Sequence, residues 1–133
     1  MEYILQTDNL SKVYGTKTVL KHVSIHVPKK SIYGLVGKNG AGKTTLMRII
    51  CGLKQQSEGS YTLLGKSNDN AVRNNMGMLI EKPGIYENMT ALENLRYFSL
   101  LFGIQSQNHR RILEMVGLQN AEKKKARQFA YVR

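Results

Sequence analysis

The stretch Gly37-Lys38-Asn39-Gly40-Ala41-Gly42-Lys43-Thr44-Thr45 has the spacing G-x-x-x-x-G-K-[ST] and lies between two apolar patterns of different period. Before it, Ser31-Ile32-Tyr33-Gly34-Leu35-Val36 is a short apolar run, expected as a parallel strand buried on both faces. After it, Leu46, Ile49, Ile50 and Leu53 fall at i, i+3, i+4 and i+7, which predicts a helix that stops near Gly52. With glycine at about 7% of average usage, a chance match to the four fixed positions in a chain of this length is on the order of one in a few hundred. Strand, glycine-rich loop and helix in this order make the motif a phosphate-binding loop.

The spacing dictates the chemistry. Gly37, Gly40 and Gly42 let the backbone turn so that the N–H groups of Asn39, Gly40, Ala41, Gly42, Lys43, Thr44 and Thr45 face one concavity. That concavity sits at the positive end of the following helix and suits a polyphosphate. Lys43 reaches the β and γ phosphates, and the Thr44 hydroxyl is placed to ligate Mg²⁺, a hard cation that prefers oxygen. Thr45 is expected to donate to the α phosphate.

Composition fits a soluble domain with a core of its own, since the chain has 133 residues. No apolar run of about 18 residues is present, so no membrane-spanning helix is expected. The start, Met1-Glu2-Tyr3-Ile4-Leu5-Gln6-Thr7-Asp8, lacks the basic, apolar and small-residue regions of a signal peptide. The lone cysteine, Cys51, falls in the predicted helix, reads as a small core residue and has no partner for an internal disulfide. Twenty Lys and Arg against nine Asp and Glu give a formal charge of +11, which alone would suggest nucleic acid or an anionic surface. The basic residues are scattered, however, and the dense run Lys123-Lys124-Lys125-Ala126-Arg127, with Glu122 beside it, reads as the solvated face of a short helix.

Strands are predicted over residues 3–7, 18–27, 60–64 and 76–80. Thr90-Ala91-Leu92-Glu93 is a capping box, in which the Thr90 side chain accepts from the Glu93 backbone while Glu93 reaches back. It opens a helix whose Leu92, Leu95, Phe98, Leu101 and Phe102 form one core-facing stripe, ending near Gly103. A second helix, over residues 108–116, presents Ile112, Leu113 and Val116 and stops at Gly117.

In this order the segments resemble the N-terminal half of an ATP-binding-cassette transporter ATPase, over essentially the whole chain. Asn9-Leu10-Ser11-Lys12-Val13-Tyr14-Gly15 resembles the family's opening, in which an aromatic residue, here Tyr14, stacks on adenine. A large flat apolar ring suits that contact. Val19-Leu20-Lys21-His22-Val23-Ser24 and Ile32-Tyr33-Gly34-Leu35-Val36-Gly37 resemble the strand pair leading into the loop. Leu46-Met47-Arg48-Ile49-Ile50-Cys51-Gly52-Leu53, then Glu58-Gly59-Ser60 and Leu64-Gly65, are similar to the family's helix and return strand. The resemblance implies an α/β fold, a P-loop NTPase core with an antiparallel β lead and the start of a helical subdomain. Residues 1–75 would carry the β lead, the loop and part of the core, and residues 76–133 the next loop and the helical start. It also implies ATP and Mg²⁺ as ligands, and a transmembrane permease and a second ATP-binding subunit as partners. The expected location is cytoplasmic, peripheral on the inner face of the cell membrane, and no nucleic acid is expected.

One position departs from the usual family pattern. After the 76–80 strand the family normally has a glutamine that contacts Mg²⁺ and links the nucleotide site to the membrane subunit, whereas this chain has Glu81. A carboxylate is the better Mg²⁺ ligand but adds negative charge beside the γ phosphate. Leu79-Ile80-Glu81-Lys82-Pro83-Gly84-Ile85-Tyr86-Glu87-Asn88-Met89-Thr90-Ala91 resembles this loop in exporters of bacitracin-type and lantibiotic-type peptides. That makes export of, or immunity to, an antimicrobial peptide the expected function, with Thr44 and Glu81 on the metal side.

The family's signature loop of S-G-G type, its apolar strand ending in Asp-Glu and its later histidine do not occur in these residues. Asp would hold Mg²⁺ through water and Glu would activate the attacking water, so no complete catalytic set is expected here. The resemblance thus reads the chain as truncated before the signature, whether as a shortened gene, a frameshifted product or an excised piece. Two other classes share the loop. A soluble P-loop kinase or GTPase would carry an N-K-x-D motif or an arginine-bearing lid and would start nearly at the loop. A nucleic-acid-associated cassette ATPase without a membrane partner is favoured by the charge and disfavoured by the segment around Glu81.

Overall fold

A computed structural model describes residues 2–67, 70–81, 84–105 and 108–129. Lys82 and Pro83 in the glutamate loop, and Ala130, Tyr131, Val132 and Arg133 at the end, lie outside the described residues. The chain forms two units, Met1–Lys82 and Pro83–Arg133.

The first unit is organised by one long strand. β1 (Tyr3–Tyr14) runs the length of a five-stranded antiparallel sheet. β2 (Lys17–Val23) and β3 (His26–Pro28) pair with successive stretches of β1, and β4 (Glu58–Leu63) pairs along its other edge, with β5 (Lys66–Ser67) outside β4. The single strand expected over residues 18–27 is thus two strands with a break at residues 24–25. Buried Thr7 explains why that break is tolerated. Its hydroxyl donates to the Val23 carbonyl at 2.8 Å and accepts from the Ile25 N–H at 3.0 Å, so the backbone groups freed by the break are satisfied. Buried Ser11 does the same nearby, accepting from the His22 N–H at 3.0 Å.

The loop helix, α1 (Lys43–Ile50), packs Leu46 and Ile49 against Leu10, Leu20 and Tyr61 of the sheet, with Leu5, Val23, Ile25 and Ile50 around them. Leu10 and Ile49 are fully buried, each contributing about 1.5–3 kcal/mol of transfer free energy. Leu53, expected on the same face, is exposed because the helix has already ended and Cys51 is its C-terminal cap. A short helix, α2 (Asn70–Arg73), follows β5; the Arg73 guanidinium donates to the Tyr61 hydroxyl at 2.6 Å, and that hydroxyl donates to the Ile49 carbonyl at 3.2 Å. This chain of hydrogen bonds ties β4 and α2 to the C-terminal end of α1.

Two expected strands do not form. Residues 31–36 and 76–80 have no regular structure, and Ile32, Val36 and Leu79 are 103%, 96% and 68% exposed. A parallel strand makes no hydrogen bonds of its own and exists only between neighbours. Among the described residues none supplies that neighbour, so two runs with strand-like composition stay irregular.

In the second unit, α3 (Ala91–Leu101) begins as expected. Thr90 Oγ1 accepts from the Glu93 N–H at 3.2 Å, and Glu93 Oε2 accepts from the Thr90 N–H at 2.7 Å. Asn94, which is buried, clamps the preceding turn: its Oδ1 accepts from the Tyr86 N–H at 2.8 Å and its Nδ2 donates to the Tyr86 and Thr90 carbonyls, both at 3.0 Å. α4 (His109–Met115) buries Leu113 and is tied to α3 by a 2.8 Å hydrogen bond between His109 Nε2 and Ser99 Oγ. The α3 stripe is only half used. Leu92, Leu95 and Phe98 are half-buried, whereas Leu101 and Phe102 are exposed, and an apolar cavity of about 420 Å³ remains between Leu95, Phe98, Ile112, Leu113 and Phe129. Of the run expected on a short helix, only Ala126 and Arg127 lie on one, the 3-10 turn Ala126–Gln128; Lys123 and Lys124 lie in the preceding turn and bend, and Lys125 bridges Thr90. The Ala126 and Arg127 N–H groups donate to the Met89 and Glu87 carbonyls at 2.8 and 3.0 Å. No helix among the described residues is long and apolar enough to cross a membrane.

Candidate functional site

The glycine loop is built from behind by the β1–β2 hairpin. Gly42 has φ 89°, and a Cβ there would lie 2.6 Å from Leu20 Cδ2 and 2.7 Å from the Val19 carbonyl. Only glycine both adopts this φ without strain and lets β2 approach so closely. Gly40 also has positive φ, at 82°, and the Ala41 N–H donates to the Lys38 carbonyl at 3.1 Å, which closes the turn. Gly37 and Asn39 stand on the open, exposed side of this turn.

α1 begins at the end of that turn with Gly42 as its N-cap, no side-chain cap and no acidic residue in its first turn. The first N–H groups of a helix have no partner within the helix, and the peptide dipoles add a partial positive charge there. Lys43 folds back over the loop, its Nζ donating to the Gly37 and Lys38 carbonyls at 2.6 and 2.8 Å. Both acceptors are neutral. A full positive charge, a helix N-terminus and a positive-φ turn therefore face one place, and nothing acidic sits in that first turn to compensate. Thr44 and Thr45 occupy the same turn, half-buried, while Leu46 in the core anchors the helix. The groups present fit a polyphosphate with a hard cation, because they combine cationic and N–H donors with the hydroxyl oxygen of Thr44.

Tyr14 ends β1 and pairs with Lys17 in register, while Leu20 pairs with Lys12 and abuts Gly42. At about 3.3 Å per residue, the two or three residues separating Lys17 from the Val19–Leu20 contact put Tyr14 about 7–10 Å along the hairpin from the loop. Tyr14 is 43% exposed, and the Lys12 ammonium sits 5.0 Å from its ring centroid. Lys12 was not legible as a neighbour of this ring from a linear motif. Period-two spacing on one strand is the signal that could have found it.

Glu81 has φ 62°, and its Oε2 accepts from Arg48 Nη2 at 3.1 Å. Arg48 is four residues after Thr44 on α1, so the two share a helix face. The structure therefore brings Glu81 to the helix that carries Thr44, by way of a partner the motif reading did not single out. Cys51 is half-buried, and burial pushes its thiol above the ordinary range, against a smaller opposing pull from Arg73. Among the described residues no group of three or more His, Cys, Asp or Glu is placed to hold a metal.

The sequence pattern of the ABC transporter family matches residues 20–131. The chain is 41% identical over 128 residues to a bacitracin transport ATP-binding protein of Enterococcus faecalis, a match covering 93% of this chain and 42% of that protein. It is 35% identical over 127 residues to a lantibiotic transport ATP-binding protein of Streptococcus pyogenes, covering 96% of this chain and 56% of that one. The chain thus spans about half the length of the curated relatives it matches. Among solved structures, the ATP-binding subunit of an ABC transporter superposes with a TM-score of 0.80 at 26% identity, covering 96% of this chain and 56% of the other. A nucleotide-free ATP-binding cassette superposes at 0.75 with 28% identity, covering 97% and 60%.

Proposed function

The chain belongs to the ABC transporter family, and we propose that it is the nucleotide-binding portion of a transporter's ATP-binding subunit, holding ATP with Mg²⁺. The observation that carries this reading is the placement of Lys43, whose ammonium rests on two loop carbonyls at the uncapped N-terminus of α1. The N–H groups of Asn39, Gly40, Gly42, Lys43, Thr44 and Thr45 line the polyphosphate, with Gly37 opening the loop and Ala41 closing its turn on the Lys38 carbonyl. Lys43 exchanges its carbonyl contacts for the β and γ phosphates, Thr44 supplies a metal oxygen, and Tyr14 stacks on adenine. Glu81 takes the metal-side and coupling position.

In this reading the partners are a transmembrane permease and a second ATP-binding subunit, at the inner face of the membrane. The transported class is an antimicrobial peptide, as export or immunity. The names of the bacitracin and lantibiotic relatives support that class, as does a glutamate where the family usually has glutamine. Base preference tests the reading against a GTP-using P-loop protein. Competition of ATP, ADP and GTP for a fluorescent adenine nucleotide on the 133-residue chain should rank ATP and ADP above GTP. Tyr14→Ala should weaken ATP and ADP equally, by roughly 5- to 100-fold, the loss of one base–aromatic stack. GTP binding as tightly as ATP, with Tyr14→Ala unchanged, would remove Tyr14 from the site and return the soluble GTPase alternative.

A further inference from the structure

The ion pair between Arg48 and Glu81 joins residues 33 positions apart and lies on the α1 face that carries Thr44. Neighbouring side chains at i and i+4 are about 5–6 Å apart at Cβ, and helical side chains lean toward the N-terminus. Arg48 therefore leans toward Thr44 and brings the Glu81 carboxylate with it. Both side chains are partly exposed, at 42% and 59%, so the contact is free to break and re-form without disturbing the core. Glu81 also has a left-handed backbone, φ 62°, which a non-glycine residue adopts at a cost.

We propose that Arg48 is a positioning residue that parks Glu81 beside the metal side of the site and must release it before the carboxylate can engage Mg²⁺. This rests on the assignment of the nucleotide site above and adds a partner to it. A glutamine would need no such partner. Glutamate brings a negative charge next to bound phosphates, and Arg48 absorbs that charge while metal is absent. The pair then competes with Mg²⁺ for one carboxylate, so it sets how much Mg²⁺ nucleotide binding requires.

The test is the ratio of ATP affinity with Mg²⁺ to that in excess chelator, titrated against Mg²⁺ on the full 133-residue chain. The ratio is used because loss of a nearby cation weakens phosphate binding with or without metal. An exposed ion pair is worth about a two- to fivefold factor. Arg48→Gln should lower the Mg²⁺ concentration for half-maximal effect by that factor, and Arg48→Lys, which keeps the charge, should stay near the parent. In a Glu81→Gln background, Arg48→Gln should change nothing further. A Mg²⁺ requirement that is unchanged or raised in Arg48→Gln overturns the proposal, and so does an equal change in the Glu81→Gln background. If the parent chain binds no ATP under any condition, the site assignment fails and the proposal with it; ATP binding with no metal coupling through Arg48 sinks the proposal alone.

Discussion

Gly42 meets two demands that act on the same atom. Its φ of 89° excludes ordinary side chains, and the Val19 carbonyl and Leu20 methyl occupy the space a Cβ would need. Gly42→Ala should therefore cost about 2–4 kcal/mol from left-handed strain and overpacking together, and should displace the loop from β2. Urea unfolding of the variant checks this, and a midpoint equal to the parent's would show that the hairpin yields at no cost. Residues of this kind were legible because a local motif specifies them: Gly40, Gly42, Lys43 and Thr44 are fixed by neighbours in sequence. Arg48 and Asn94 were not, since the value of Arg48 depends on a residue 33 positions away, and Asn94 reads as an ordinary polar residue until the turn at Tyr86 folds onto it.

At the scale of elements, the second unit offers the clearest test. The reciprocal cap on α3 holds Glu93 below its ordinary value, chiefly through the hydrogen bond to the Thr90 backbone and then that to its side chain, with Lys125 and Arg96 adding smaller pulls. A depressed folded-state value means that Glu93 stabilises the fold above its unfolded value of about 4.5 and that this contribution is lost as pH falls through the folded value. Thr90→Ala should destabilise the unit by about 1 kcal/mol. The stability gap between the parent and Glu93→Gln should be open at pH 7 and close on acidification below about pH 4.5. Denaturation followed by circular dichroism across that range decides it, and a gap that is independent of pH contradicts the capping account. The capping box was legible because it is written within a few residues, whereas the β1–β2 hairpin was not, because the strand expected over residues 3–7 runs on to Tyr14 and pairs there with β2. The runs at 31–36 and 76–80 misled because strand composition records a preference for burial, whereas a parallel strand also needs two neighbours that composition does not specify.

The whole molecule shows what the missing pairing costs. Ile32 and Val36 stand in water beside the glycine loop, and an unpaired apolar segment of this kind is a template for association. The formal charge of +11 opposes that association through self-repulsion, so added salt should promote it. The two aspartates in these residues are Asp8 and Asp69, and neither is followed by glutamate. With no Asp-Glu pair and no signature loop, the 133 residues alone should release phosphate from Mg-ATP no faster than the Lys43→Ala variant does. Steady release by the parent that Lys43→Ala abolishes would show that a group other than an Asp-Glu pair activates the attacking water.

The central claim is that the glycine loop and α1 form a polyphosphate site completed by Lys43. Calorimetric titration of the 133-residue chain with Mg-ATP, beside Lys43→Ala, tests it most directly. Lys43 Nζ rests on the Gly37 and Lys38 carbonyls; the account, in which it exchanges them for phosphate, predicts saturable binding to the parent and its loss in the variant. Equal binding by the two proteins, or none by a folded parent, would contradict it.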